Sequence, residues 1–291
     1  MGAGELNYSS DIDLIVLFDE TRFEVDDYHD ARAAFIRVTR KMTAIMADVT
    51  SGGYVFRTDL RLRPDASSTP VCISTEMAER YYESLGRTWE RAAFIKARVC
   101  AGDMVAGQRF LDTLRPFVWR KHLDFAAIQD AHDMRLRIRD HKGLGGKLVL
   151  EGHNMKLGRG GIREIEFFTQ TRQLIAGGRD PSLRVRETKA GLAALVVADW
   201  IPEEVAATLY DHYAFHREVE HRLQMINDAQ THDLPKDEDG FARLACLMGR
   251  DVDDLRAELT TRLEKVHGTI EGFFAPDPVT EIEDDWGVDI T

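Results

Sequence analysis

GELNYSSDIDLIVLFD, residues 4–19, decides the reading of the fold. Its second half, DLIVLFD (Asp13 to Asp19), is a short apolar run rich in Ile, Val and Phe, which favours a buried strand. Asp11 and Asp13 stand two apart at the start of that strand. Side chains alternate along a strand, so both carboxylates project from one face. Outward from there, residues 27–48 (DYHDARAAFIRVTRKMTAIMAD) predict a helix, with Phe35, Val38, Met42 and Ile45 spaced by three and four. A Gly52–Gly53 turn leads into YVFRTDLRLRP, residues 54–64, whose alternation is that of a strand. Arg57, Asp59, Arg61 and Arg63 share one face of it; Phe56, Leu60 and Leu62 share the other. Pro64 ends the ladder because it carries no amide donor. The chain therefore starts strand, helix, strand.

Beyond Ser74 the pattern is helical. Tyr81, Leu85, Trp89, Ala92, Ile95 and Val99 predict one face of an amphipathic helix, and Val205, Leu209, Tyr213, His216, Val219, Leu223 and Ile226 predict a second, long one. Between them, Lys142 to Gly161 is too rich in glycine to be helical throughout. The end, PDPVTEIEDDWGVDIT, has no lysine or arginine and reads as an acidic linker or tail. The expected class is α+β, with a sheet domain over 1–74, a mainly helical domain over 75–275 and the tail over 276–291.

With 44% hydrophobic residues in 291, the chain can bury a substantial core. Lys plus Arg number 38 against 50 for Asp plus Glu, a net charge of −12, so non-specific nucleic-acid binding is not expected. The apolar stretch Ala190 to Ala198 falls far short of the ~20 residues of a membrane span. The first residues lack the basic and apolar regions of a secretory leader. Cys72, Cys100 and Cys246 form no CxxC pair and fit a reducing, cytoplasmic setting.

Asp11 and Asp13 admit two readings: an acid-decorated strand end, or ligands of a hard divalent cation such as Mg²⁺. Upstream, Ser9 and Ser10 suit a turn whose amides and hydroxyls hold phosphate oxygens. Asp59 is either salt-bridged by its arginines or the third carboxylate of a two-metal site that clamps the oxygens of a phosphoryl transfer. The arginines, Arg61 among them, would keep it ionised and grip phosphate. Gly158, Gly160 and Gly161 precede a helix beginning IREIEFF. Bare amides there, with Lys156, Arg159 and Arg163, favour an anion; the alternative is a glycine hinge. On that helix Glu164 and Glu166 point about 200° apart, so at most one reaches a shared site. His216 reads as a hydrogen-bonded core residue, His212 and His221 as no zinc site, and Tyr81, Tyr82 and Trp89 as core.

Glu-Leu, two serines, Asp-x-Asp and a later aspartate resemble the polymerase-β-like nucleotidyltransferase superfamily. More specifically, GELNYSSDIDLI, RTDLRLRPDASSTP, YYESLGRTWERAAFIKAR, NMKLGRGGIREIEFFTQ and HRLQMINDAQTHDLP together resemble the glutamate–ammonia ligase adenylyltransferase/adenylyl-removing enzyme family, from Gly2 to about Gly249. That family attaches AMP to a tyrosine of glutamine synthetase and removes it. KLGRGGIREIEF resembles its N-terminal, adenylyl-removing half, so the chain is expected to be a fragment of a two-halved enzyme. The resemblance implies phosphorolysis, with Asp11, Asp13 and Asp59 holding Mg²⁺. It implies phosphate and nucleotide contacts from Ser9, Ser10, Arg61, Lys156, Gly160, Gly161 and Arg163, with Arg91, Lys96 and Arg98 near the cleft. Glutamine synthetase is the implied partner, with a PII-type protein engaged through regions outside the chain. Forward AMP transfer from ATP, or non-catalytic docking to either protein, are the alternatives.

Overall fold

The computed structural model describes residues 1–121 and 146–274; the expected acidic tail over 276–291 lies outside the described residues. Four short strands carry the N-terminal part. β1 (Asp11–Asp13) pairs in parallel with β3 (Arg57–Asp59), and β2 (Val16–Phe18) pairs in parallel with β4 (Cys72–Ser74). Between β2 and β3 runs α1 (Tyr28–Ala47). The expected strand–helix–strand order is present, but both expected strands are shorter. DLIVLFD divides at Leu14–Ile15, because the chain there leaves β3 as partner and takes β4. The second strand ends at Asp59, whose side chain accepts the Arg61 amide at 2.7 Å and folds the backbone out of the ladder.

On α1, Ala31 and Thr39 are buried and Phe35 stacks on Phe18 of β2 at 5.1 Å, while Val38 and Ile45, expected inward, are 61% and 66% exposed. The short strands cover a narrower stripe of the helix than its apolar spacing offers.

The single helix expected from Tyr81 to Val99 is two, α2 (Thr75–Ser84) and α3 (Thr88–Ile95). The break sits at Gly86, where a Cβ would lie 2.3 Å from the Phe117 ring and 2.7 Å from the Tyr82 carbonyl oxygen. There the chain turns, and the Arg87 amide starts α3 by donating to Glu90 Oε2. Leu85 is left exposed at the break, and of the three aromatics read as core only Tyr82 is fully buried. Two further helices follow, α4 (Met104–Thr113) and α5 (Arg115–Val118). Ile73, Tyr82, Ile95, Phe110, Leu114 and Phe117 form one core with Leu174, joining the sheet segment to the helices.

That last residue belongs to α6 (Ile162–Ala176), which packs against α7 (Thr188–Val197), α8 (Glu203–Asn227) and α10 (Val252–Phe274). α9 (Glu238–Met248) closes the group. The expected long helix is α8, with Leu209, Tyr213, His216, Val219 and Leu223 buried along it. Each fully buried leucine contributes about 1.5–3 kcal/mol relative to exposure. Among the described residues no helix is long and apolar enough to cross a membrane, and all three cysteines are free thiols.

Candidate active site

Parallel pairing of β1 with β3 places Asp13 opposite Asp59 and Asp11 opposite Arg57. The three carboxylates separated by a helix in sequence thus meet at one strand-pair end. Partial loss of hydration, then the charges of Asp11 and Asp59, push the Asp13 carboxyl above the usual carboxylate range, and Lys156 and Arg61 pull against them. Asp59 is gripped by the Arg61 guanidinium, with Nε 3.0 and 2.8 Å from its two oxygens; these bonds hold its carboxyl below the usual range. Asp11 Oδ1 accepts a bond from Gln230 Nε2 at 3.0 Å.

The other arginines of the expected basic face are elsewhere. Arg63 donates to the carbonyls of Leu60, Ala66 and Thr69, because the chain has already left the strand. Arg57 Nη1 donates to Ser9 Oγ at 2.6 Å. Ser9 is itself buried, its amide donating to Gln224 Oε1 at 2.9 Å, and Ser10 Oγ donates to the Asp11 carbonyl. The serine turn expected to hold phosphate is engaged in tying β1 to α8.

Three carboxylates gathered at one strand-pair end suit a hard divalent cation in the chemistry of the donor set. No hydrogen bond from a described residue reaches the Asp13 carboxylate, whose pKa is raised by partial burial first and by the neighbouring charges of Asp11 and Asp59 second. As the side chains stand, no three acidic, histidine or cysteine groups among the described residues are placed to hold a metal ion. Both Asp59 oxygens are held by the Arg61 fork. The arginine side chain is 83% exposed, so it can swing into solvent and free both oxygens.

In the glycine motif, read either as an anion nest or as a hinge, the amides are engaged within the protein. The amide of Gly160 donates to Glu164 Oε2 at 3.2 Å, and that of Gly161 to the Gly158 carbonyl at 3.0 Å. Neither amide is bare. Gly160 has φ +72°, and a Cβ there would sit 1.9 Å from the Leu263 carbonyl oxygen of α10. Its own carbonyl accepts from Nε2 of the fully buried His216 at 3.1 Å, a ring kept neutral because burial pushes its pKa down to about 3. His216 is the core residue expected. The glycines let α6 start against α8 and α10. Gly160→Ala should therefore cost about 3 kcal/mol or more, combining overpacking with a left-handed backbone. Urea denaturation measures this; an unchanged midpoint would overturn the packing role.

Of the motif's cations, Lys156 lies close enough to lower the pKa of Asp13, whereas Arg163 pairs with Glu166 Oε2 at 3.3 Å. The two glutamates part as the helical spacing requires. Glu164 faces Gly160 and His267, and Glu166 faces Lys96.

Lys96, expected to meet a phosphate, is the centre of an ion cluster that sequence reasoning missed. Its Nζ lies 2.9 Å from Glu5 Oε2, 2.8 Å from Glu166 Oε1 and 3.2 Å from Thr188 Oγ1. Burial alone would raise the Glu166 pKa, but Lys96, Arg163 and Arg217 bring it to about 2. Glu5 also accepts the Thr188 amide at 2.8 Å, and its carbonyl accepts from Arg217 at 2.7 Å. The segment leading into the carboxylates is thereby fastened to α3, α6, α7 and α8. Arg91 is buried with its guanidinium over the Phe117 ring.

Comparison with known proteins adds a family likeness. A family profile described as glutamate-ammonia ligase adenylyltransferase matches residues 1–113, and one described as GlnD PII-uridylyltransferase matches residues 131–275. Three relatives carry the name bifunctional glutamine synthetase adenylyltransferase/adenylyl-removing enzyme. That of Bradyrhizobium sp. is 53% identical over 96% of this chain and 28% of its own length. That of Rhizobium meliloti is 52% identical over 94% of this chain and 28% of its own. That of Agrobacterium fabrum is 54% identical over 93% and 27%. The chain spans little more than a quarter of the length of the curated relatives it matches.

Proposed function

Because the chain belongs to the family of bifunctional glutamine synthetase adenylyltransferase/adenylyl-removing enzymes, we propose that it removes AMP from an adenylylated tyrosine of glutamine synthetase by phosphorolysis. Inorganic phosphate attacks the AMP phosphorus, the bond to the tyrosine oxygen breaks, and ADP and the free phenol are the products. The observation that supports a phosphoryl-transfer site is the β1–β3 register, which sets Asp13 against Asp59 beside Asp11.

In this reading Asp11, Asp13 and Asp59 hold Mg²⁺, which when bound supplies charge to the phosphoryl oxygens. The chain's own residues do the rest. Lys156 brings a fixed positive charge to the carboxylates, and Arg61, once off Asp59, offers its planar fork to a phosphate. The Glu5–Lys96–Glu166 cluster holds the approach to β1 in place, so that alignment is set before reactants arrive. A PII-type partner is a second reading for the helical part, favoured by the uridylyltransferase likeness over residues 131–275. A cytoplasmic setting belongs to the same proposal.

The test mixes the chain with adenylylated glutamine synthetase, Mg²⁺ and phosphate. Phosphate-dependent ADP release is the expected result, with little AMP transfer from ATP to the unmodified protein. Robust transfer from ATP without ADP release would overturn the proposed direction. Binding of glutamine synthetase with neither reaction would leave a docking module.

A further inference from the structure

The motif HRLQMINDAQTHDLP has no part in the reaction proposed above, yet its residues converge on β1. Asp228 ends α8 in the left-handed conformation, φ 46°, which folds the next residues back toward the strand. The carbonyl of Asp228 accepts from Arg57 Nη2 at 3.2 Å. Three residues on, the Thr231 carbonyl accepts from Gln224 Nε2 at 3.3 Å, the same amide group whose oxygen takes the Ser9 N–H. His232 Nδ1 lies 2.7 Å from the fully buried Glu220, and its carbonyl accepts the Met155 amide at 2.8 Å. The segment is stapled on both sides of Gln230. That residue is solvent-exposed, and its Nε2 donates to Asp11 Oδ1 at 3.0 Å.

An exposed hydrogen bond ordinarily loses much of its value to side-chain entropy. Here the backbone on either side is already fixed, so the bond constrains Asp11 and little else. The donor is also neutral. Arg61 neutralises Asp59 and competes with any cation, whereas a carboxamide occupies one oxygen of Asp11 and leaves its full charge and its other oxygen available. We infer that Gln230 is a positioning residue for Asp11, orienting its carboxylate toward a divalent cation through the fold-back at the end of α8.

This inference rests on reading Asp11 as a cation ligand, and the experiment separates the two. Mn²⁺ alone is titrated into the full 291-residue chain, with free Mn²⁺ followed by electron paramagnetic resonance, for wild type, Gln230→Ala and the volume-conserving Gln230→Met. Partners that orient metal ligands typically contribute 10–100-fold in affinity, so both variants should bind about tenfold more weakly. Their melting temperatures in metal-free buffer should match wild type. Wild-type affinity in both variants would overturn the role of Gln230 alone. No binding by wild type would overturn the ligand reading and this inference with it. Weaker binding accompanied by a melting loss of several degrees in both variants would make Gln230 structural instead.

Discussion

Asp13→Asn is expected to lower phosphate-dependent ADP release by about a thousandfold or more while leaving the metal-free protein as stable as wild type, or more so. If the carboxylates hold a cation as proposed, removing one of the three forfeits several kcal/mol of transition-state charge stabilisation, and about 4 kcal/mol corresponds to ~10³ in rate. The stability expectation has a separate origin. Asp13 has lost part of its hydration and faces Asp11 and Asp59, and both conditions disfavour its charge. An uncharged amide of the same shape escapes that repulsion. Single-turnover rates and thermal melts in chelator-treated buffer measure the two effects independently. Turnover within tenfold of wild type would remove Asp13 from the reaction. A marked fall in melting temperature would show that its charge is satisfied in the folded protein.

Lys96→Met is expected to be the most destabilising of the substitutions considered. It leaves the Glu5 and Glu166 side chains, 19% and 12% exposed, without their common cation. Removing one partner from such a buried pair costs about 3–5 kcal/mol. At roughly 2–4 °C per kcal/mol for a chain of this size, the melting temperature should fall by on the order of 10 °C. The pH dependence changes sign. In wild type, Glu166 is held at about 2, so its contribution is present above the ordinary carboxylate range near ~4.3 and is lost as pH falls toward 2. Without Lys96, burial dominates and favours the protonated acid. The variant's deficit should then shrink as pH falls through the carboxylate range. Urea midpoints at pH 7 and pH 5 check this, and adding Glu166→Gln should recover part of the loss at pH 7. A constant deficit at both values would show that the lysine acts by packing rather than charge.

The gathering of Asp11, Asp13 and Asp59 at one strand-pair end was readable because it follows a local rule. Period-two alternation puts Asp11 and Asp13 on one face, and a strand–helix–strand order brings a second strand alongside, carrying Asp59. Strand length was not readable. DLIVLFD is uniformly apolar, and only the change of partner from β3 to β4 divides it. The helix break at Gly86 was hidden for the same reason, since the ring of Phe117 that excludes a side chain there is 31 residues further on. The glycine motif left two readings open for a more general reason. A backbone without Cβ atoms is needed equally for approach to an anion and for approach to the Leu263 carbonyl, and the spacing is the same for both. The Lys96 cluster and the Gln230 contact obey no period at all. Their partners lie 70, 91 and 219 residues apart, and only the packing of α6 and α8 brings them together.

The bonds that steady β1 also bear on the order in which the protein can be made. The Ser9 amide waits for Gln224, 215 residues later in the chain. At the ~5–20 residues per second of synthesis, the partner follows by roughly 10–40 s. Local elements such as α1 form within microseconds of leaving the ribosome, and β1 can pair with β3 soon afterwards. The nascent strand pair must then stand with three carboxylates gathered and its far tether still unmade. The acidic end of the sheet is thus translated well before the helix residue that tethers it.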